Sequence, residues 1–491
     1  MDNRVCVPGT SLPVEPPPRR SRRWPRRVLA TALAGGVATG AVLTLLTEEQ
    51  PHGAGRPPAA GPPAQAQAQA AQALKAVTWG LPAALPQLGA LIGQQEQRVR
   101  EQPKDARAWA VLGAAYVARA RRTADPADYP RAEQALQTSL RVRAAQNTEA
   151  LDGLTALALA RRDFPAAKRY GEQALKAAPK RWTAYPPLID AYTGLGDYKN
   201  ARATLDKLLG LRTGAAARPA VMARASAVYR DRGWREDAVA QLTDAASAAG
   251  TPAEQAAYLT GLGQLAWERG DLQDALRHFE AAARLDPDQG AALTGRGRVL
   301  AALGRTTEAY AAYRAALAGH PSPQDACELG ELYEAHGMAA QAREQYDRVK
   351  ELVRRRMAAG VDEELLIGQF EADHGDPEEA VERLQAEWER QPGIEVADAL
   401  GWALHRAGDD EEALTYATTA TDTTKGGGVR SALYAFHRGL IELELDEQAS
   451  ARRHLQQALR FNPYFSPLQV PVAEEALRAL GDVPDEPPPS A

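Results

Sequence analysis

The sequence predicts an all-α solenoid of about ten helix-turn-helix repeats plus capping helices, preceded by one transmembrane helix. Three observations point there. An alanine recurs every 33 to 38 residues between positions 132 and 451, seven glycines stand five residues before those alanines, and a 20-residue run without a charge, Val28 to Thr47, follows a cluster of arginines. At 491 residues the chain is longer than one hydrophobic core supports, so several domains or a repeat array is required. Charged residues at 25% and aromatics at only 6% favour amphipathic helices packed through small side chains.

In chain order, residues 1–27 form a basic tail holding seven Arg against Asp2 and Glu15. The rest carries 51 basic and 61 acidic residues, which excludes nucleic acid as a ligand class because phosphate neutralisation needs clustered positive charge. As a helix, Val28 to Thr47 is about 30 Å long and matches the hydrocarbon thickness of a bilayer. Six arginines at 19, 20, 22, 23, 26 and 27 precede it and Glu48 and Glu49 follow, so the expected topology is N-terminus cytoplasmic and the remainder extracytoplasmic, in the cell membrane. A cleaved signal peptide is the alternative, although no small-residue cleavage site follows Leu45. Ala32, Gly36, Gly40 and Thr44 share one face of this run, where Gly36-x-x-x-Gly40 allows a homodimer to pack closely in lipid. The opposing explanation is a GC-rich genome that writes Ala and Gly into any apolar stretch. Residues 48–72, rich in Pro, Gly, Ala and Gln, read as a disordered linker.

Residues 73–480 read as the solenoid. The aligned alanines are Ala132, Ala167, Ala201, Ala238, Ala275, Ala309, Ala342, Ala380, Ala413 and Ala451; the glycines are Gly196, Gly233, Gly270, Gly304, Gly337, Gly375 and Gly408. A small residue early in the second helix lets two backbones approach, and glycine can adopt the left-handed conformation that ends the first helix. Proline at 103, 179, 287, 321, 392 and 463 closes units. Leu85 to Ile92 and Val472 to Leu480 are expected to cap the two ends, and 481–491 to be a disordered tail. Trp109, Tyr192, Tyr229, Phe279, Tyr313 and Tyr333 are the expected packing residues between units. An insertion near 121–130 lengthens the first turn, and links near 211–219 and 425–429 lengthen two others.

These residues carry a resemblance to the tetratricopeptide-repeat (TPR) family. Its pattern is similar to Leu329-Gly330, Tyr333, Gly337, Ala342, Tyr346, and to Leu262-Gly263, Gly270, Ala275, Phe279, Ala282, Pro287. The resemblance, to the membrane-anchored bacterial type, implies a right-handed superhelix with a concave groove lined by first helices. It implies a protein or peptide ligand held by Arg230, Gln264, Trp267, Arg298, Glu331, Glu334, Gln369, Trp402 and His405. Trp and Arg dominate many interfaces, whereas a Trp buried between units would serve packing instead. The Lys and Asn that chaperone-tail binders use against a terminal carboxylate do not stand at these positions. The stretch from Leu88 to Ala120 is also similar to the membrane-anchored TPR subunits that assemble c-type cytochromes.

Chemistry is not indicated by the sequence. Eight histidines show no HExxH and no close pair, and Cys6 and Cys327 would lie on opposite sides of the membrane, so no metal or disulfide is expected. No phosphate loop, dinucleotide fingerprint or nucleophile elbow occurs. Asp409-Asp410 and Glu363-Glu364 sit at helix starts, where they favour the helix dipole. The expectation is a membrane-tethered interaction scaffold, not an enzyme, without cofactors.

Overall fold

The computed structural model of the protein describes residues 62–422 and 428–481, and every regular element among them is helical. An N-terminal pair, α1 (Pro62–Trp79) and α2 (Leu85–Glu101), precedes ten further pairs, units 1 to 10. These are α3 (Ala106–Thr123) with α4 (Tyr129–Val142), α5 (Thr148–Ala160) with α6 (Phe164–Ala177), α7 (Tyr185–Gly194) with α8 (Tyr198–Gly210), α9 (Arg218–Asp231) with α10 (Arg235–Ser247), and α11 (Pro252–Trp267) with α12 (Leu272–Leu285). There follow α13 (Gly290–Ala302) with α14 (Thr306–Gly319), α15 (Pro323–Ala335) with α16 (Ala339–Ala358), α17 (Glu364–His374) with α18 (Pro377–Arg390), α19 (Ile394–Ala407) with α20 (Asp410–Thr421), and α21 (Ala432–Glu444) with α22 (Gln448–Phe461). A last helix, α23 (Gln469–Leu480), closes the stack.

The local rules of the repeat are visible in each pair. All ten aligned alanines are at most 3% exposed, because each sits where the two helices of its unit cross. Six of the seven aligned glycines take φ between +68° and +88°. Gly375 is the exception: it ends α17 at φ −141° and ψ −133°, so the left-handed turn does not extend to it. Where glycine is missing, Arg162 and Asp446 take the same left-handed turn at φ 59° and 61°. Four of the ten second helices, α6, α8, α18 and α20, start on side-chain caps, as where Asp163 accepts from the Ala166 N–H at 3.0 Å and Asp197 from Asn200 at 3.1 Å. Tyr192, Phe279, Tyr313 and Tyr333 are buried as expected; Trp109 and Tyr229 are partly buried beside them.

The linker expected over 48–72 is corrected from residue 62 onwards. Alanines supplied both the low-complexity signature and a helix, and Ala70 and Ala73 of α1 are fully buried in the first core cluster with Leu88 and Leu91 of α2. The N-terminal cap is therefore a helix pair. The tail 1–27, the membrane segment 28–47 with Gly36 and Gly40, Cys6, residues 48–61, the link residues 423–427 and the end 482–491 lie outside the described residues. Among the described residues no helix is long and apolar enough to cross a membrane.

Repeat stacks ordinarily contact only their neighbours. Here the stack coils until it meets itself, with a regular offset. The turn inside each of units 2 to 5 touches the link that follows the unit five further on. Asp362 N–H donates to Arg161 O at 2.8 Å, and Gly196 packs on the Pro392 carbonyl. Arg235 Nη2 donates to Arg430 O at 2.6 Å, and Gly270 packs on Pro463. Arg122 pairs with Asp286, and Arg355 with Asp125 at 2.6 Å.

Candidate functional site

Coiling makes the first helices line a lumen, and a cavity of about 660 Å³ there is walled mainly by the first helices of units 5 to 10. Its remaining wall is Pro463–Pro471, the segment that leads into α23 and returns across the lumen. Of the nine groove residues expected from sequence, Gln264, Trp267, Arg298, Glu331, Gln369 and Trp402 line this cavity. Arg230, Glu334 and His405 do not. Arg230 is engaged by Glu268 at 2.7 Å, His405 Nδ1 lies 2.5 Å from Asp410, and the exposed Glu334 accepts from Tyr346 Oη at 2.6 Å.

Trp267 and Trp402 are each only 6% exposed and belong to the core clusters of their units, so each shows the cavity an edge of a packed ring. Trp402 Nε1 donates to Asp373 at 2.9 Å, and its ring stacks on His437 with centroids 4.2 Å apart and 14° between planes. The guanidinium of Arg298 lies 5.7 Å from the Trp267 ring centroid and forks onto Glu328, with Nη2 to Oε1 at 2.6 Å and Nε to Oε2 at 3.2 Å. Tyr313 Oη adds a third bond to Glu328 at 3.1 Å. Burial works against the Arg298 charge, yet the Glu328 carboxylate outweighs it and holds the group well above its usual range. Burial, with Glu328 beside it, pushes the Tyr313 hydroxyl up in the same way.

Carboxylates set the character of the rest of the wall. Glu331, Asp373 and Asp398 accompany Glu328, and Arg298 is committed to Glu328. Burial raises Glu331, opposed by the nearby His374, and burial plus Glu331 and Glu328 drives the Cys327 thiol far above its ordinary value. Asp325, behind the wall at the start of α15, is raised to about 7 by burial and then by Glu328. His437 Nδ1 is held by Asp398 at 3.0 Å, while its Nε2, buried, has no hydrogen-bond partner; the same holds for His374 Nε2 and for Gln469 Oε1.

Sequence reasoning missed Cys327, Glu328, Asp373, His374, Asp398, His437 and the returning segment. Cys327, Glu328 and Glu331 share one face of α15 by helical spacing, which the sequence could have shown. The return of Pro463–Pro471 has no local signal.

Residues 260–326, spanning α11 to the start of α15, match the sequence profile described as tetratricopeptide repeat. A search of curated proteins finds no match. Similar solved structures include the human IFIT1 dimer with PPP-AAAA, at 16% identity over 64% of this chain and 72% of that one, with a TM-score of 0.44. Another is a tetratricopeptide repeat protein from Parabacteroides merdae, at 19% identity over 54% and 99%, TM-score 0.32. Yeast Tom70 is similar at 14% identity over 75% and 96%, TM-score 0.32. These likenesses extend to helical-repeat architecture alone. The matched residues 260–326 are tetratricopeptide repeats, and all ten units share their helix-pair construction.

Proposed function

We propose that this chain is a protein-binding scaffold, tethered by residues 28–47 with its repeats outside the cytoplasmic membrane, and that it holds a segment of its partner in the lumen between units 5 and 10. TPR arrays are scaffolds for proteins and peptides and are generally not enzymes. The observation that carries the reading is the cavity with its buried, unpartnered polar atoms. His437 and Gln469 line the cavity, and His437 Nε2 and Gln469 Oε1 make no hydrogen bond within the chain, which leaves them available to a bound peptide's amides or side chains. The carboxylate-rich wall favours a segment with basic or amide side chains, and the edges of Trp267 and Trp402 favour apolar ones beside them. The tether rests on the arginine cluster ahead of an uncharged 20-residue run.

Site-specific photo-crosslinking in the parent cells tests the lumen. A crosslinking residue in place of Gln369 should trap a partner segment, whereas one in place of Arg277, 67% exposed on α12, should not. Equal capture at both positions, or none at Gln369, overturns lumen binding. A phosphatase fused to the C-terminus should be active in intact cells; activity only of a cytoplasmic reporter overturns the topology.

A further inference from the structure

Cys327 and Glu331 lie one helical turn apart on α15, so their side chains leave the same face. His374, at the end of α17, reaches the same point from the adjoining first helix. Cys327 Sγ is 3.6 Å from Glu331 Oε1, His374 Nε2 is 3.8 Å from that oxygen, and no pair of the three donor atoms is more than 4.8 Å apart. Metal–donor bonds of about 2.0–2.3 Å at tetrahedral angles place donors roughly 3.3–3.8 Å apart, so two separations already fit and the third is within about 1 Å.

The surroundings of His374 point the same way. Its Nε2 is buried without a hydrogen-bond partner, facing the thiol and the carboxylate. Its other nitrogen, Nδ1, faces Glu334 Oε2 at 3.9 Å, and the ring rests against Tyr346 at 4.3 Å and Phe370 at 5.3 Å between centroids. The aromatic walls hold the ring, and a carboxylate stands on the side of the far nitrogen, beyond hydrogen-bond reach but where metal-bound imidazoles commonly have one.

We propose that Cys327, Glu331 and His374 form a three-ligand Zn²⁺ site on the wall of the lumen, with its fourth coordination position open to the cavity. Thiolate and imidazole select a borderline-soft ion over Mg²⁺ or Ca²⁺. On binding, the thiol proton leaves to solvent, and thiolate plus carboxylate cancel the charge of the ion, which removes repulsion among Glu331, Asp373 and their neighbours. The open position takes one donor from a bound segment, such as an imidazole, carboxylate or thiolate. Metal uptake by the three side chains does not depend on that segment.

The test is titration of the full chain, freed of metal by a chelator, with Zn²⁺ by calorimetry and with Co²⁺ by absorption. One equivalent should bind, and the Co²⁺ form should show a thiolate charge-transfer band with intense visible bands of a four-coordinate ion. Cys327→Ser should abolish the charge-transfer band, and both Cys327→Ser and His374→Gln should weaken Zn²⁺ binding by about tenfold or more with helical circular dichroism unchanged. Cys327→Ser conserves shape, so loss of the band reads the ligand and not the fold. The absence of stoichiometric binding, or affinities unchanged in both variants, overturns the site. Neither readout involves a protein partner, so the scaffold reading stands or falls separately.

Discussion

Contact between distant turns of the coil can be measured with alanine at the turn glycines. Gly196 has φ +68°, and a Cβ there would lie 2.5 Å from the carbonyl oxygen of Pro392. Gly337 has nearly the same φ, +70°, but nothing within 4 Å of its Cβ position. Gly337→Ala therefore costs only left-handed strain, about 1–2 kcal/mol, partly offset by a less flexible unfolded chain. Gly196→Ala adds an overlap that must open by about 0.7 Å or more, and the atom it meets is backbone in a link packed under unit 9. Forced overpacking of this kind costs about 1–3 kcal/mol, so the two variants should differ by at least about 1 kcal/mol. Gly233→Ala, whose Cβ would lie 2.5 Å from Gly428 O, should follow Gly196, and Gly304→Ala should follow Gly337. Long arrays depart from two-state unfolding, so the comparison is best made on urea midpoints with amide exchange around residues 391–393. Equal shifts for the contacting and free glycines, with unchanged exchange at that link, would refute the claim that the coil presses on itself.

Two further outcomes follow from burial. Trp267→Ala and Trp402→Ala should each lower stability by about 3–5 kcal/mol, because both rings are 6% exposed within core clusters; melting transitions like those of the parent chain would show them to be surface anchors instead. Asp325 should make the fold less stable as pH rises. Its folded value near 7 exceeds the ordinary 3.8. The folded state thus binds the extra proton between those limits, and stability is full below about pH 4 and lost progressively towards pH 7. The shift corresponds to an upper bound of about 4 kcal/mol. In Asp325→Asn the fall in urea midpoint between pH 5 and pH 7.5 should be smaller than in the parent; an identical fall would mean that Asp325 ionises normally.

What was legible in the sequence is what one repeat enforces on itself. An alanine at a helix crossing and a left-handed turn act over fewer than ten residues, so their spacing located every pair from α3 to α22. The misses share a cause. Pro62 to Gln72 looked structureless because alanine and glutamine lack an apolar stripe, yet Ala70 and Ala73 suffice when a neighbour, α2, supplies the leucines. Gly375 followed the spacing without the conformation, which only the observed backbone shows. At the site, six of nine groove residues converge because first-helix positions at equal phase point inward. Arg230, Glu334 and His405 were diverted by Glu268, Tyr346 and Asp410, single neighbours that periodicity does not weigh.

The cavity itself belongs to the coil and not to any repeat. A small rotation per unit, summed over five units, decides which link meets which turn, and no residue encodes that sum. It brings Pro463 against Gly270 of unit 5 and so carries Tyr464 and Phe465 across the lumen opposite Trp267. An open groove thereby becomes a walled space whose two sides lie about 200 residues apart in the chain. Any ligand that touches both sides, such as a peptide held between them, binds the closed coil better than an opened one and must stabilise the contacts between turns. The converse is equally required: Gly196→Ala, far from the cavity, should weaken lumen binding to the extent that it opens the coil.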